Sequence, residues 1–393
     1  MDSRRLYVWA SLFGLPLAAV LIVISLPFFL FSIGAAYCIA WMLYLRMAQT
    51  DAKFNLPLNP SRVYKANVAF VQLVVGWITD MPLIITYLHW RWLVRKDFPQ
   101  LIKRDIQYSK AHPSCKLDTY RPNRERAPII VFIYGGSWSS GSKFIYTPLA
   151  NTLRELGCAV VVPDYRKYPL VKVAAMYDDV RSSIQWAYDH AEEFNGDRDN
   201  IFVMGHSAGA HLITQTILSD LISKVQKEDS DRRMLPVVQG VILLAGVYSI
   251  ERHLAFETKR GVDKLSAMSR AMGSSVEGYA ENSPYDLVQE HEELFATSST
   301  LLESLPKILF IHGDADTTVP REQSVDMYNM FGQVLSPERR EQVDIRIRLH
   351  KRLKHAQCVT ALMPNKFGED RLFKSLTGDI QEFVGLSSSS DSH

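Results

Sequence analysis

The sequence predicts an α/β fold, a mostly parallel sheet with helices on both faces, preceded by a separate apolar helical region. Three observations predict it. After about residue 105, apolar runs of four to six residues alternate with amphipathic segments. Those runs are apolar throughout rather than alternating, which marks strands covered on both faces. Charge is also unevenly spread: of 44 basic and 42 acidic residues, nine fall in the first ninety of 393 positions. A mean hydropathy of −0.05 therefore averages two unlike regions. The net charge of +2 gives no basic surface of the kind a nucleic acid requires.

The first region, about 1–96, reads as a membrane anchor. No charged residue lies between Leu6 and Leu45. As one helix this stretch would be about 60 Å long, twice the hydrocarbon core of a bilayer. It also exceeds the roughly 7–15 apolar residues of a cleaved leader. A helical hairpin over about 6–45 is expected, Leu6–Leu26 out and Phe28–Leu45 back, broken near Pro27 or Gly34. Arg4, Arg5 and Arg46 would then place both ends on the cytosolic side. A further apolar segment, about 68–90, is interrupted by Asp80 and Pro82. It either crosses the bilayer or lies in the interface with Trp77, Trp90 and Trp92 as anchors. The cluster Arg91, Arg95 and Lys96 favours a cytosolic body.

The second region, about 97–385, carries the sheet. Strands are expected at Ile129–Tyr134, Cys158–Pro163, Ile201–Met204, Val241–Leu244, Ile308–Ile311 and Val343–Leu349. Helical patterns fall between them at Phe144–Leu156, Ala174–Phe194 and Ala208–Val225. This alternation gives crossover units and hence parallel strands. An insert at about 248–305, with Leu254, Phe256, Leu265, Met268, Met272 and Tyr279, reads as an apolar lid or as an ordinary helical excursion. The Ser-rich end, 386–393, is expected to be disordered.

Gly205-His206-Ser207-Ala208-Gly209 follows a predicted strand and opens a predicted helix. A serine at such a sharp turn is pushed out above the sheet, which makes Ser207 the candidate nucleophile. A serine hydroxyl needs a base, and in this architecture an acid and then a histidine follow at the ends of later strands. The string His312-Gly313-Asp314-Ala315-Asp316 ahead of Val319-Pro320 favours Asp316 as the acid over Asp314. His355, in the polar loop Lys354-His355-Ala356-Gln357, is favoured as the base over His350 at the end of a strand. His206, His211 and His312 read as packing or hydrogen-bonding residues. The pair Gly135-Gly136 after a strand can expose backbone N–H groups to an oxyanion, with a third from Ala208. The four cysteines, Cys38, Cys115, Cys158 and Cys358, are too scattered for a disulfide framework or a zinc site. No nucleotide, dinucleotide or zinc motif competes, so neither cofactor nor metal is expected.

These residues resemble the α/β-hydrolase superfamily, its hormone-sensitive-lipase-like esterases, and within them the isoprenylcysteine methylesterase-like group. The resemblance lies in Gly135-Gly136-Ser137-Trp138 with Gly141 and Lys143, in Asp164-Tyr165-Arg166-Lys167-Tyr168-Pro169, in Gly205–His211, and in the insert residues His253, Arg260, Gly261, Ser283 and Pro284. His206 stands where plant members usually carry glutamine, and Lys354-His355-Ala356 where they carry a threonine-rich loop. The resemblance implies an α/β-hydrolase fold with an inserted cap and a Ser207–Asp316–His355 triad working through an acyl-enzyme. It further implies a lipophilic ester substrate, the methyl ester of a prenylated cysteine, and an integral protein of endoplasmic reticulum or Golgi membranes with its catalytic domain cytosolic. A broader lipid, sterol or xenobiotic esterase is the neighbouring expectation. A catalytically inactive membrane-anchored interaction protein is the expectation from another class.

Overall fold

The computed structural model describes residues 15–48, 55–94, 100–226, 234–363 and 371–386. Packing divides the chain into two units: residues 1–78 with 257–266, and residues 79–256 with 267–393.

The first unit is built on helix α1, Leu15–Met47, and the beginning of helix α2, Pro60–Val94. The hairpin expected within 6–45 does not form: α1 runs without interruption through Pro27 and Gly34. A helix-interior proline removes one backbone hydrogen bond, whereas a turn would strip several groups of their partners in apolar surroundings. The chain reverses between α1 and α2 instead, after Met47 and before Pro60, where polar residues and prolines return to the sequence. Ala40, Val63 and Ala66 form the buried contact of the pair, with Ala36, Tyr37 and Leu43 around it. Small side chains allow such close helix approach. Asn67 Nδ2 adds hydrogen bonds to the carbonyls of Ala36 and Val63, both at 2.8 Å. Arg62 donates to Tyr44 Oη at 2.8 Å and pairs with Asp263 at 3.2 Å, so residues 257–266 of the insert pack within this unit. Much of α1 presents bare apolar side chains, among them Val23, Ile24, Phe28, Phe29 and Phe31. Among the described residues, Val23–Met47 is the one helix long and apolar enough to cross a membrane. The segment 68–90 lies within the single helix α2. Arg4, Arg5, the side chains of Trp77, Trp90 and Trp92, and residues 387–393 lie outside the described residues.

The second unit is an α/β sandwich around an eight-stranded sheet. Its strands are β1 Ile102–Gln107, β2 Lys116–Tyr120, β3 Ala127–Ile133, β4 Ala159–Pro163, β5 Gly196–His206, β6 Gly240–Leu244, β7 Lys307–Gly313 and β8 Ile345–His350. They lie in the order β1-β2-β4-β3-β5-β6-β7-β8. β1 and β2 are antiparallel to their neighbours, and every pairing from β4 to β8 is parallel. The central strands are wholly buried, as continuous Val, Ile and Phe runs require. Helices α3 Thr147–Glu155, α4 Val173–Asp189, α5 Ala208–Gln226 and α6 Glu322–Val334 provide the crossovers, and α7 Arg371–Val384 follows β8.

Sequence patterning did not reveal β1 and β2. β1 reads Ile-Lys-Arg-Asp-Ile-Gln and is mostly exposed, because an edge strand with one wet face needs no apolar run. The insert between β6 and β7 is a string of short helices whose ends are tied down. Gln323 Oε1 accepts from the amides of Tyr248 and Ser249 at 2.7 and 2.9 Å, and its Nε2 donates to the Ser249 carbonyl. Ser283 Oγ accepts from the Ile250 amide at 2.9 Å.

Register sets the site. Ile133 pairs with Gly205, His206 with Leu244, and Gly313 with His350. With Leu244 paired to Ile311, five parallel strands end near one level, and the loops carrying Gly135, Ser207, Asp316 and His355 leave from that common edge. Ligands of open α/β sheets bind beyond such carboxyl ends.

Candidate active site

Ser207 stands between β5 and α5 with φ of 54°, a left-handed conformation that serine adopts only under strain. The Ser207 amide donates to the Leu244 carbonyl at 2.8 Å, and its carbonyl accepts from the His211 amide. The turn is tight enough to need glycine on both sides. A Cβ on Gly209 would stand 2.1 Å from the Ile133 carbonyl oxygen, and one on Gly205 2.5 Å from Ile213 Cδ1. The flanking glycines of the motif are thus explained by backbone approach.

Gly135 and Gly136 lie against this turn. A Cβ on Gly135 would fall 2.8 Å from Ser207 Cβ and 2.8 Å from the His206 carbonyl oxygen. Gly136 has φ of 141°, and Ser137 and Trp138 follow with φ of 50° and 57°. The Gly136 carbonyl is turned into its own loop, accepting from the amides of Ser139 and Ser140 and from Ser140 Oγ. Ala208, buried, is the first residue of α5, where a backbone N–H has no helical acceptor.

A second set of residues holds this loop from behind. Tyr134 Oη donates to Asp164 Oδ1, Lys167 Nζ donates to Tyr134 Oη at 2.8 Å, and Tyr165 Oη donates to the Tyr134 carbonyl at 3.0 Å. Burial lowers the Lys167 ammonium below its usual range, against the pull of Asp164. Its charge also lies over the rings of Tyr134 and Tyr165, 5.2 and 5.0 Å from their centroids.

Across the site, His355 Nδ1 donates to Asp316 Oδ2 at 2.7 Å. Asp316 Oδ1 accepts from the amides of Thr318 and Val319 at 2.8 and 2.9 Å. His312 Nε2 approaches Asp316 Oδ2 at 3.2 Å, while its Nδ1 bonds Ser324 Oγ at 2.8 Å. Burial alone would raise the Asp316 carboxyl, but His355, His312 and their hydrogen bonds outweigh it and hold the group far below the carboxylate range. The two alternatives are engaged elsewhere. Asp314 Oδ1 accepts from the Arg352 amide at 2.6 Å, and His350 Nε2 pairs with Asp379 Oδ2 at 2.8 Å.

His206 joins the two halves. Its Nε2 donates to the His355 carbonyl at 3.1 Å, and the two rings lie 4.7 Å apart. The histidine loop is therefore tied to the residue next to Ser207. Patterning offered no signal for this bond, which joins positions 149 apart. His312 was equally unreadable as a partner of Asp316, although it lies only four residues away.

Burial pushes His206 down to about 3, with His355 adding to the effect, and pushes His211 down to about 4. Both folded values lie below the roughly 6.5 of an unfolded histidine. The unfolded chain therefore binds protons that the native one refuses as pH falls below about 6.5. Stability is full above that value and declines toward about 3. The thermal midpoint should accordingly fall between pH 7 and pH 5, and fall less in His211→Gln, which has no proton to gain.

A serine on a strained strand-to-helix turn, with a carboxylate–histidine pair on later loops of the same parallel sheet, defines an α/β-hydrolase. The family model described as BD-FAE matches residues 117–331, and the chain belongs to that family. It is 28% identical over 229 residues to the isoprenylcysteine alpha-carbonyl methylesterase of Arabidopsis thaliana, covering 58% of this chain and 52% of that one. It is 30% identical over 222 residues to an esterase of Mycobacterium tuberculosis, LipC, covering 54% and 51%. The chain thus spans about half the length of these curated relatives. Among solved structures, esterase B of Lactobacillus rhamnosis superposes with a TM-score of 0.58 at 19% identity, over 82% of this chain and 97% of that one, a likeness of fold.

Proposed function

We propose that the protein is a membrane-bound serine hydrolase of carboxylic esters, acting on the methyl ester of a prenylated cysteine. The observation that carries the reading is the 2.7 Å bond between Asp316 and His355 beside the strained Ser207 turn. His355 takes the Ser207 proton as Oγ adds to the ester carbonyl, and Asp316 stabilises the imidazolium so formed. N–H groups of Gly135, Gly136 and Ala208 receive the oxyanion. The tetrahedral intermediate collapses, His355 returns its proton to the leaving methanol, and the acyl group remains on Ser207. Water, deprotonated by His355, then releases the acid and restores the serine.

The named relative acting on isoprenylcysteine supports the substrate class, and the apolar helix Val23–Met47 supports the anchor. In this reading residues 1–96 anchor the chain, 97–385 form the catalytic domain with its cap at 248–305, and the body faces the cytosol from endoplasmic reticulum or Golgi membranes. A prenylated substrate partitions into the same bilayer, so an anchored enzyme meets it at high local concentration. The likeness to the LipC esterase supports a broader ester range as the second reading.

An ester panel on the membrane fraction separates the two. Release of methanol from farnesylcysteine methyl ester, absent in Ser207→Ala, is expected; turnover of long acyl esters alone would contradict the substrate class. The anchor is tested by alkaline carbonate. The protein should stay in the membrane pellet, and its release into the supernatant would refute a spanning α1.

A further inference from the structure

The histidine four residues after Ser207 has no part in that chemistry, yet it is completely buried between two functional elements. Trp138 Nε1 donates to His211 Nδ1 at 3.1 Å, with the rings edge to face 5.2 Å apart. On the opposite edge of the same imidazole, Nε2 donates to the Asn282 carbonyl at 2.7 Å. Trp138 belongs to the strained loop that begins at Gly135. Asn282 ends the cap helix Val276–Glu281 and precedes the next, Pro284–Glu290. Its side chain is fixed as well, by Tyr177 Oη at 3.0 Å and by the Gly278 carbonyl at 2.7 Å.

An indole N–H can only donate and a carbonyl can only accept. The imidazole is therefore set as one neutral tautomer, acceptor at Nδ1 and donor at Nε2. A rigid ring with an acceptor on one edge and a donor on the other spans this gap. We infer that His211 is a positioning residue that couples the cap to the oxyanion loop, so that the placement of the Gly135 and Gly136 donors depends on where the cap sits. This inference rests on the ester-hydrolase reading and assigns a regulating contact to that same site.

The two bonds can be cut separately. An asparagine amide oxygen takes the place of Nδ1 and falls short of Asn282; a glutamine amide nitrogen takes the place of Nε2 and leaves Trp138 without its acceptor. With a short soluble ester, His211→Asn should raise KM about fivefold and hold kcat within about twofold, because the cap is loosened while the loop is kept. His211→Gln should lower kcat about tenfold and hold KM within about twofold, since small displacements of reacting groups carry large rate penalties. Trp138→Phe should reproduce the glutamine result, and Trp138→Phe with His211→Gln should be no worse than either alone. A residue that served packing alone would move both parameters alike in both variants, and that result overturns the coupling. Exchange of the Trp138 indole proton gives a readout without turnover. It should be slow in wild type and in His211→Asn and fast in His211→Gln; equal rates in all three overturn the bridge. A wild type that hydrolyses no ester sinks the hydrolase reading, while the exchange rates still decide the bridge.

Discussion

Ser207→Ala should lower kcat/KM for ester hydrolysis by about 10⁴-fold or more while leaving the fold intact. The expectation follows from what the substitution removes and what it keeps. The left-handed turn is held by the Ser207 amide on the Leu244 carbonyl and by close backbone approach at Gly205 and Gly209. None of these involves the hydroxyl. Alanine therefore meets the same backbone conformation and loses only the nucleophile, and circular dichroism should be unchanged. Residual hydrolysis would come from the oxyanion donors and His355 acting on water. Activity retained within tenfold of wild type would place the reacting group elsewhere.

Asp316→Asn should lower kcat by about 10³- to 10⁴-fold with KM little changed. Two backbone N–H groups, from Thr318 and Val319, already point at Oδ1. An asparagine must keep its carbonyl oxygen on that side, so its NH₂ faces His355 Nδ1 and His312 Nε2, where the wild type presents an acceptor. The imidazole can satisfy that NH₂ only by accepting at Nδ1, which places its proton on Nε2 and leaves no base for Ser207. The predicted defect is one of tautomer. Asp314→Asn is the control: it touches the Arg352 amide and not His355, and should change kcat less than about threefold. Equal losses in the two variants would reopen the choice of acid.

The parallel sheet was readable because burial on both faces forces continuous apolar runs, as in β3, β4 and β6. The strand-to-helix context of Ser207 was readable for a similar reason, since two glycines are demanded by backbone approach. Edge strand β1 escaped because a wet face dilutes the apolar pattern, and β2, buried between β1 and β4, because its five residues Lys-Leu-Asp-Thr-Tyr are mostly polar and form no apolar run. The hairpin expectation rests on the length of the uncharged run, which exceeds one bilayer crossing; α1 instead runs on through Pro27 and Gly34, because a helix-interior proline gives up fewer backbone hydrogen bonds than a turn would. The bonds that fix the site, from His206 to the His355 carbonyl and from His211 to Trp138 and Asn282, join distant positions through single atoms. Neither periodicity nor motif spacing encodes such contacts. Likewise, nothing in the composition of residues 257–266 announces their packing with the amino-terminal helices, which includes the Arg62–Asp263 pair and Leu265 against Tyr44 and Ala48.

Covalent capture tests the central claim most directly. The full-length protein in detergent or native membranes is treated with a fluorophosphonate, digested and mapped by mass spectrometry. The account predicts one stoichiometric adduct on Ser207, abolished by Ser207→Ala and strongly slowed by Asp316→Asn. A folded wild-type protein that takes up no label, or takes it on another residue, would contradict the account and favour a membrane-anchored interaction protein built on a hydrolase fold.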